Sequence, residues 1–263
     1  MPGRGAFTPV RAELVEAQRA TSERSVWATG PSTGSGRTDE GSAANRVHLA
    51  LGRRITLGLA SFALLGAAPA PEPSIVRVRL VTAAGQIVIA LDTRRAPKTS
   101  ANFLAYVDDG RLDGTYFYRA SRRKTSPGGF VQGGIGTDSH RMLDRLPLEP
   151  TNVTGIKHLD ATVSMARYDR TDSGSGNFSI MVGPNPSLDA RAGFPGYAAF
   201  AHVIAGMDVV KRILAVPTRP GGDGAFKGQM IARPIPIVRA VRLDGVAKPT
   251  GRLKVWQMLR RIG

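Results

Sequence analysis

The chain has 263 residues, enough for one or two domains with a buried core. Its 36 Lys and Arg against 20 Asp and Glu give a net charge of +16, and it contains no cysteine. That composition excludes a disulfide scaffold, a thiolate metal site and a cysteine nucleophile. With 42% hydrophobic residues it also excludes wholesale disorder.

Residues 1–46 are rich in Gly, Ser, Thr and Arg. They are expected to be a disordered extension, or translated sequence ahead of the true start, with Val47 as the expected first residue. Gly30 to Gly34 matches the spacing of a nucleophile elbow, but no strand precedes it and no helix follows, so the match carries no chemistry. Residues 47–70 are expected to be a signal peptide. Arg53-Arg54 precedes Ile55 to Ala68, an uncharged run of fourteen residues, and small residues and prolines follow. The run is too short for a confident membrane span. A short buried helix is the competing reading, opposed by Gly58 and Gly66 inside the run.

Beyond residue 70 the chain keeps 28 basic against 15 acidic residues, a net +13. A basic excess means nucleic acid or an anionic polymer only with a recognition motif. None is present, so no nucleic-acid partner is expected.

The body is expected over 71–247. Ile75 to Val81 alternates as a strand with Arg77 and Arg79 on its wet face, and a turn at Ala83-Ala84-Gly85 leads to a second strand, Gln86 to Leu91. Pro97 suits the first turn of a helix whose apolar stripe is Phe103, Leu104 and Val107, closed by Gly110. Short strands follow at 116–119, 130–132, 162–165, 178–182 and 199–203. A second helix spans 207–214 and a last strand 235–243. Many short strands with Gly and Pro punctuation predict a mainly β barrel or sandwich.

Several blocks fall in a telling order: Phe117-Tyr118-Arg119, Phe130-Val131-Gln132-Gly133-Gly134, Val163-Ser164-Met165-Ala166-Arg167, Ser173 to Ile180, Leu188-Asp189, Tyr197 to Val203, and Gly206 to Val210. Together they resemble a cyclophilin, a peptidyl-prolyl cis–trans isomerase, of the bacterial exported type. The likeness spans about residues 75–243. It implies a closed antiparallel eight-stranded barrel capped by two helices, without cofactor or metal, acting on X–Pro bonds of exported proteins in a periplasm. Arg119 matches the family's catalytic arginine and Gln132 the glutamine that holds it. Phe130, Phe178 and Leu188 match the apolar ring pocket, Tyr197 the polar aromatic beside it, and Ala166 and Asn177 the adjoining groove. Proline-containing segments are the expected partners, and the chain is read as a monomer.

This sequence departs from the family's pattern in several places. Gly129 and Ser179 stand where the family has pocket phenylalanines, and Ser187 where many members have tryptophan. Twelve residues separate Arg119 from Gln132, about five more than usual, including the basic run Arg122-Arg123-Lys124. These losses keep open an alternative, a catalytically weak chaperone module that only grips proline-containing segments.

The remaining features read plainly. His140, His158 and His202 are isolated and lack Asp or Glu at ligand spacing. Asp108-Asp109 reads as a solvated turn, and Ser173-Gly174-Ser175-Gly176 as a turn without the lysine of a phosphate loop. Residues 248–263 form a basic amphipathic tail with Leu253, Trp256, Leu259 and Ile262 recurring. That pattern fits weak contact with an anionic surface, or docking on its own domain.

Overall fold

The computed structural model describes residues 73–259 apart from 126 and 221. The extension at 1–46, the signal segment at 47–70 and Ile262 of the tail lie outside the described residues.

Strand β1 (Ile75–Thr82) buries Val76, Val78 and Leu80 and leaves Arg77 and Arg79 exposed, as alternation requires of a sheet with one wet face. It turns into β2 (Gly85–Asp92) in unbroken register from Ile75↔Asp92 to Thr82↔Gly85. Helix α1 (Pro97–Asp108) then buries Phe103, Leu104, Tyr106 and Val107. Its N-cap residue, Ala96, offers no side chain to the first backbone N–H groups. Glu149, 51 residues after Lys98, does so instead. Its carboxylate accepts from Lys98 N at 3.1 Å, Thr99 N at 2.7 Å and Thr99 Oγ1 at 2.6 Å. Replacing Glu149 by alanine should therefore cost about 1–2 kcal/mol of unfolding free energy in a urea titration, with Glu149→Gln recovering part of it. Equal midpoints for the alanine variant and the wild type would reject the capping role.

The remaining elements are β3 (Thr115–Arg122), β4 (Gly129–Gly134), α2 (Thr151–Thr154), β5 (Thr162–Met165), β6 (Asn177–Val182), β7 (Ala198–Ala205), α3 (Met207–Ala215), β8 (Thr218–Arg219), β9 (Met230–Arg242) and α4 (Val255–Leu259). All strand pairs are antiparallel, in the order β1-β2-β7-β5-β6-β4-β3-β9-β8, and β1 also pairs with β9. That last pairing closes eight strands into a barrel, which decides against a sandwich; β8 is an extra two-residue strand on β9. Helix α1 packs on β2, β7 and β9, and α3 on β2, β3, β4 and β6. Strand β9 begins five residues before the expected Ile235 because Pro234 and Pro236 read as loop. A proline forfeits only its own donor: Pro236 O still accepts from Ala83 N at 3.0 Å.

The interior is one apolar cluster with an aromatic centre. Phe178 meets Phe103 edge-on at 5.3 Å and Phe117 at 5.8 Å, and Phe103 meets Phe200 at 5.3 Å.

The extra residues between Arg119 and Gln132 lengthen a hairpin. Strands β3 and β4 continue past that pair through Ala120↔Val131, Ser121↔Phe130 and Arg122↔Gly129. Gly129 has φ +143°, and a Cβ there would sit 1.9 Å from Ser121 O, so this position in the register excludes any side chain. The basic run is structural. Arg122 donates to Leu214 O at 2.7 Å and to Val216 O, satisfying carbonyls at the end of α3, and Arg123 donates to Pro184 O at 2.6 Å.

Two sequence readings need correction, and one is decided between its alternatives. Asp108-Asp109 is no solvated turn: Asp108 accepts from Arg242 Nε at 2.9 Å, and buried Asp109 pairs with buried Arg111 at 2.8 Å. Two neighbouring arginines outweigh the local polarity that suggested a wet turn. The run 173–176 is buried rather than a surface turn: Gly174 bridges to Leu146 and Gly176 bends into β6, where a Cβ would lie 2.4 Å from the Tyr106 ring. In the tail, Trp256 is buried against the body, its ring beneath the guanidinium groups of Arg111 at 4.8 Å and Arg141 at 5.2 Å, while Leu253 is exposed. Thr250 adds a bond from its N to Asp109 at 2.7 Å, and Arg252 pairs with Asp144. The tail's aromatic anchor is spent on its own domain, which leaves anionic-surface contact through that face without it.

Candidate active site

The outer face of the sheet over β3, β4, β6 and β5 carries the candidate site. Phe117 points into the core, so simple alternation would send Arg119 there too. A bulge prevents it. Phe117↔Gly133 is followed by Arg119↔Gln132, so two steps on β3 oppose one on β4 and Tyr118 is the extra residue. Tyr118 and Arg119 both stay half-buried on the outer face, and Ala120 returns to the core. The row then continues Gln132↔Ser179 and Ser179↔Ser164 across β6 and β5.

Arg119 is held on two sides. Its Nε donates to Gln229 Oε1 at 2.9 Å and its Nη1 to Gln132 Oε1 at 3.0 Å. Its guanidinium carbon lies 4.3 Å from the centre of the Phe226 ring and 5.0 Å from that of Phe130. Gln132 passes the network on, donating from Nε2 to Tyr118 OH at 3.0 Å, and Tyr118 OH donates to Asn177 Oδ1 at 3.2 Å. Asn177 is locked in turn by Gly136, whose N donates to Oδ1 at 2.8 Å and whose O accepts from Nδ2 at 2.9 Å. Burial pushes the Tyr118 phenol up to about 12, with the Gln132 bond acting the other way, so it remains a donor at neutral pH. Burial also lowers the Arg119 pKa. A guanidinium starts so high that it keeps its charge.

These groups border an open cavity of about 1060 Å³. Of the residues picked from sequence, Arg119, Gln132, Phe130, Ala166, Asn177, Leu188 and Tyr197 all line it. Leu188 sits in a 3₁₀ turn (Pro186–Leu188) whose carbonyl accepts from Tyr197 N at 3.1 Å. The Tyr197 ring lies 4.8 Å from the guanidinium carbon of Arg167, which is itself bonded to Gly196 O at 3.0 Å.

Phe178 does not belong to this set. It is 1% exposed and part of the aromatic core, because Asn177, Ser179 and Met181 take the outer face of β6 and leave 178, 180 and 182 inside. One residue along a strand changes faces. The outer positions are filled by Ser179 and Met181, which line the cavity, with Met181 directly across from Phe130.

Sequence reasoning missed Tyr118, Phe226 and Gln229. The last two come from the segment between β8 and β9, and no spacing ties Gln229 to a partner 110 residues earlier. His158, isolated in the sequence, is not isolated in the fold: its fully buried ring bonds to Asp189 and to Ser164. His140 and His202 are exposed. Among the described residues no three of His, Asp or Glu gather to hold a metal ion.

The fold and site together are those of a closed antiparallel barrel with a pinned guanidinium at the wall of an open outer cavity. The family model for cyclophilin-type peptidyl-prolyl cis-trans isomerases matches residues 77–240. Similar proteins include peptidyl-prolyl cis-trans isomerase A of Dickeya dadantii, 38% identical over 146 residues, which covers 55% of this chain and 74% of that one. Peptidyl-prolyl cis-trans isomerase cyp18 of Streptomyces antibioticus is 38% identical over 144 residues, 54% of this chain and 84% of that one. A crystal structure of a cyclophilin-type isomerase from Cryptosporidium parvum shares the fold, with a TM-score of 0.50 at 22% identity, covering 65% of this chain and 99% of that one. The chain belongs to the cyclophilin-type peptidyl-prolyl cis-trans isomerase family.

Proposed function

We propose that this chain accelerates cis–trans rotation of X–Pro bonds, with Arg119 as the group that acts on the amide. Such a bond rotates slowly because resonance gives it a barrier of about 18–20 kcal/mol. Rotation needs no nucleophile and no proton loss. It needs a donor that draws the proline nitrogen's lone pair out of conjugation, and a surface that holds the ring while the acyl side turns. A fixed, permanently charged guanidinium is such a donor. The observation that carries the reading is the double anchoring of Arg119 by Gln132 and Gln229 at the cavity wall. Phe130, Leu188 and Met181 would hold the ring, with Tyr197 at its margin, while Ala166 and Asn177 would border the preceding residues. Phe178 has no part in this.

We also propose that the clients are exported proteins and that the chain works in a periplasm. The basic pair Arg53-Arg54 and the apolar run after it support that reading. The test of the activity is the isomerisation rate of a proline-containing reporter peptide with the full chain. Catalysed relaxation proportional to protein concentration is expected. Peptide binding without acceleration would overturn the enzyme and leave the gripping module.

A further inference from the structure

At the far end of the row from Arg119, the cavity wall carries a group that amide rotation does not use. Ser164 lines the cavity, and its Oγ lies 2.8 Å from His158 Nε2. His158 Nδ1 lies 2.7 Å from Asp189 Oδ1, and the same carboxylate oxygen accepts from His158 N at 3.1 Å. The histidine side chain is 0% exposed. We propose that Ser164 is an activated nucleophile, and that this wall is an acyl-transfer site for small, activated acyl esters.

The proton positions follow from charge. Burial lowers the His158 pKa, with Asp189 opposing more weakly, so the ring is neutral at pH 7. A neutral ring beside a carboxylate carries its proton on Nδ1, where it donates to Asp189. Nε2 is then an acceptor, and the Ser164 hydroxyl donates to it. The other acceptor within reach of that hydroxyl, Ala198 O, is farther away at 3.3 Å. Nucleophile, base and orienting carboxylate are thus in hydrogen-bond contact in the order that acyl transfer needs. Asp189 is also held to the base through both its backbone and its ring, which keeps the imidazole from turning.

An oxyanion needs a donor on the same face. Ser179 lies directly across the β5–β6 pair from Ser164 and also lines the cavity. Directly opposed residues share a face with Cβ atoms about 4.5–5.5 Å apart, so the Ser179 side chain is the neighbouring hydroxyl that would donate to the carbonyl Ser164 attacks. Ser164 is only 2% exposed, so the acyl group must be small; acetyl is the natural size.

The chemistry closes without a cofactor. Ser164 Oγ bonds to the acyl carbon as its proton passes to His158 Nε2. The ester's C–O bond then breaks, and the leaving oxygen departs with that proton or, when it is a nitrophenolate, leaves the proton to solvent. Solvent water next adds to the acyl carbon and gives one proton to His158. The bond to Ser164 breaks, and Oγ takes that proton back.

The experiment uses the full chain with two probes, a fluorophosphonate and p-nitrophenyl acetate. Mass spectrometry should place a single phosphonate on Ser164, and the labelled protein should lose its nitrophenolate release. Ser164→Ala should abolish both signals, and Asp189→Asn should slow labelling by at least about a hundredfold in a chain that circular dichroism shows to be folded. Three outcomes would each overturn the proposal: no modification of the folded wild type, modification elsewhere, or equally fast labelling of Ser164 in urea-unfolded chain. The proposal stands apart from prolyl isomerisation, whose own assay leaves it unaffected.

Discussion

Replacing Arg119 by alanine should lower kcat/KM on a proline-containing reporter peptide by about 10²–10³-fold, the usual consequence of losing one preorganised donor, or about 3–4 kcal/mol of transition-state stabilisation. The loss should fall on kcat more than on KM, since the guanidinium acts on the twisted amide and the cavity walls remain. Arg119→Lys should not restore the rate. A lysine keeps the charge but not the planar fork that reaches Gln132 and Gln229 from different nitrogens of one group. Thermal unfolding of the variant should stay close to that of the wild type, because Arg119 lies outside the apolar core. A variant with undiminished kcat/KM would remove Arg119 from the reaction and with it the mechanism proposed above.

Phe178→Ala should cost about 3–5 kcal/mol of stability, measured as a shift of the urea midpoint. It removes the ring that touches both Phe103 and Phe117, in an interior too closely packed to collapse on the gap. That loss is a large share of the roughly 5–15 kcal/mol by which a domain of this kind is stable. The folded fraction should nonetheless isomerise peptide with unchanged KM, since Phe178 does not line the cavity. A raised KM with little loss of stability would put Phe178 back in the ring pocket where its sequence position first placed it.

The difference between these two residues shows how far a sequence reaches. Arg119 and Gln132 are legible because each sits in a short block whose residue types belong together, and the bulge at Tyr118 does no harm to that reading. Phe178 and Ser179 are neighbours in such a block, and only the pairing register shows that 178 is core and 179 is wall. Gly129 looked like a lost pocket ring. The lengthened hairpin makes it a position where no side chain fits.

The sequence by itself determined the eight barrel strands, though not β8 or the start of β9, and the two longer helices, because period-2 and helical alternation, proline at a first turn and glycine at strand ends are local properties of a chain. It also determined the ordered blocks that carry the family. Tertiary structure alone decided that Glu149 caps α1, that Gln229 holds Arg119, that Trp256 lies beneath two arginines, and that His158 joins Asp189 to Ser164. Each of these depends on partners tens of residues apart or more, whose meeting is set by strand register and packing, and neither is written in local spacing.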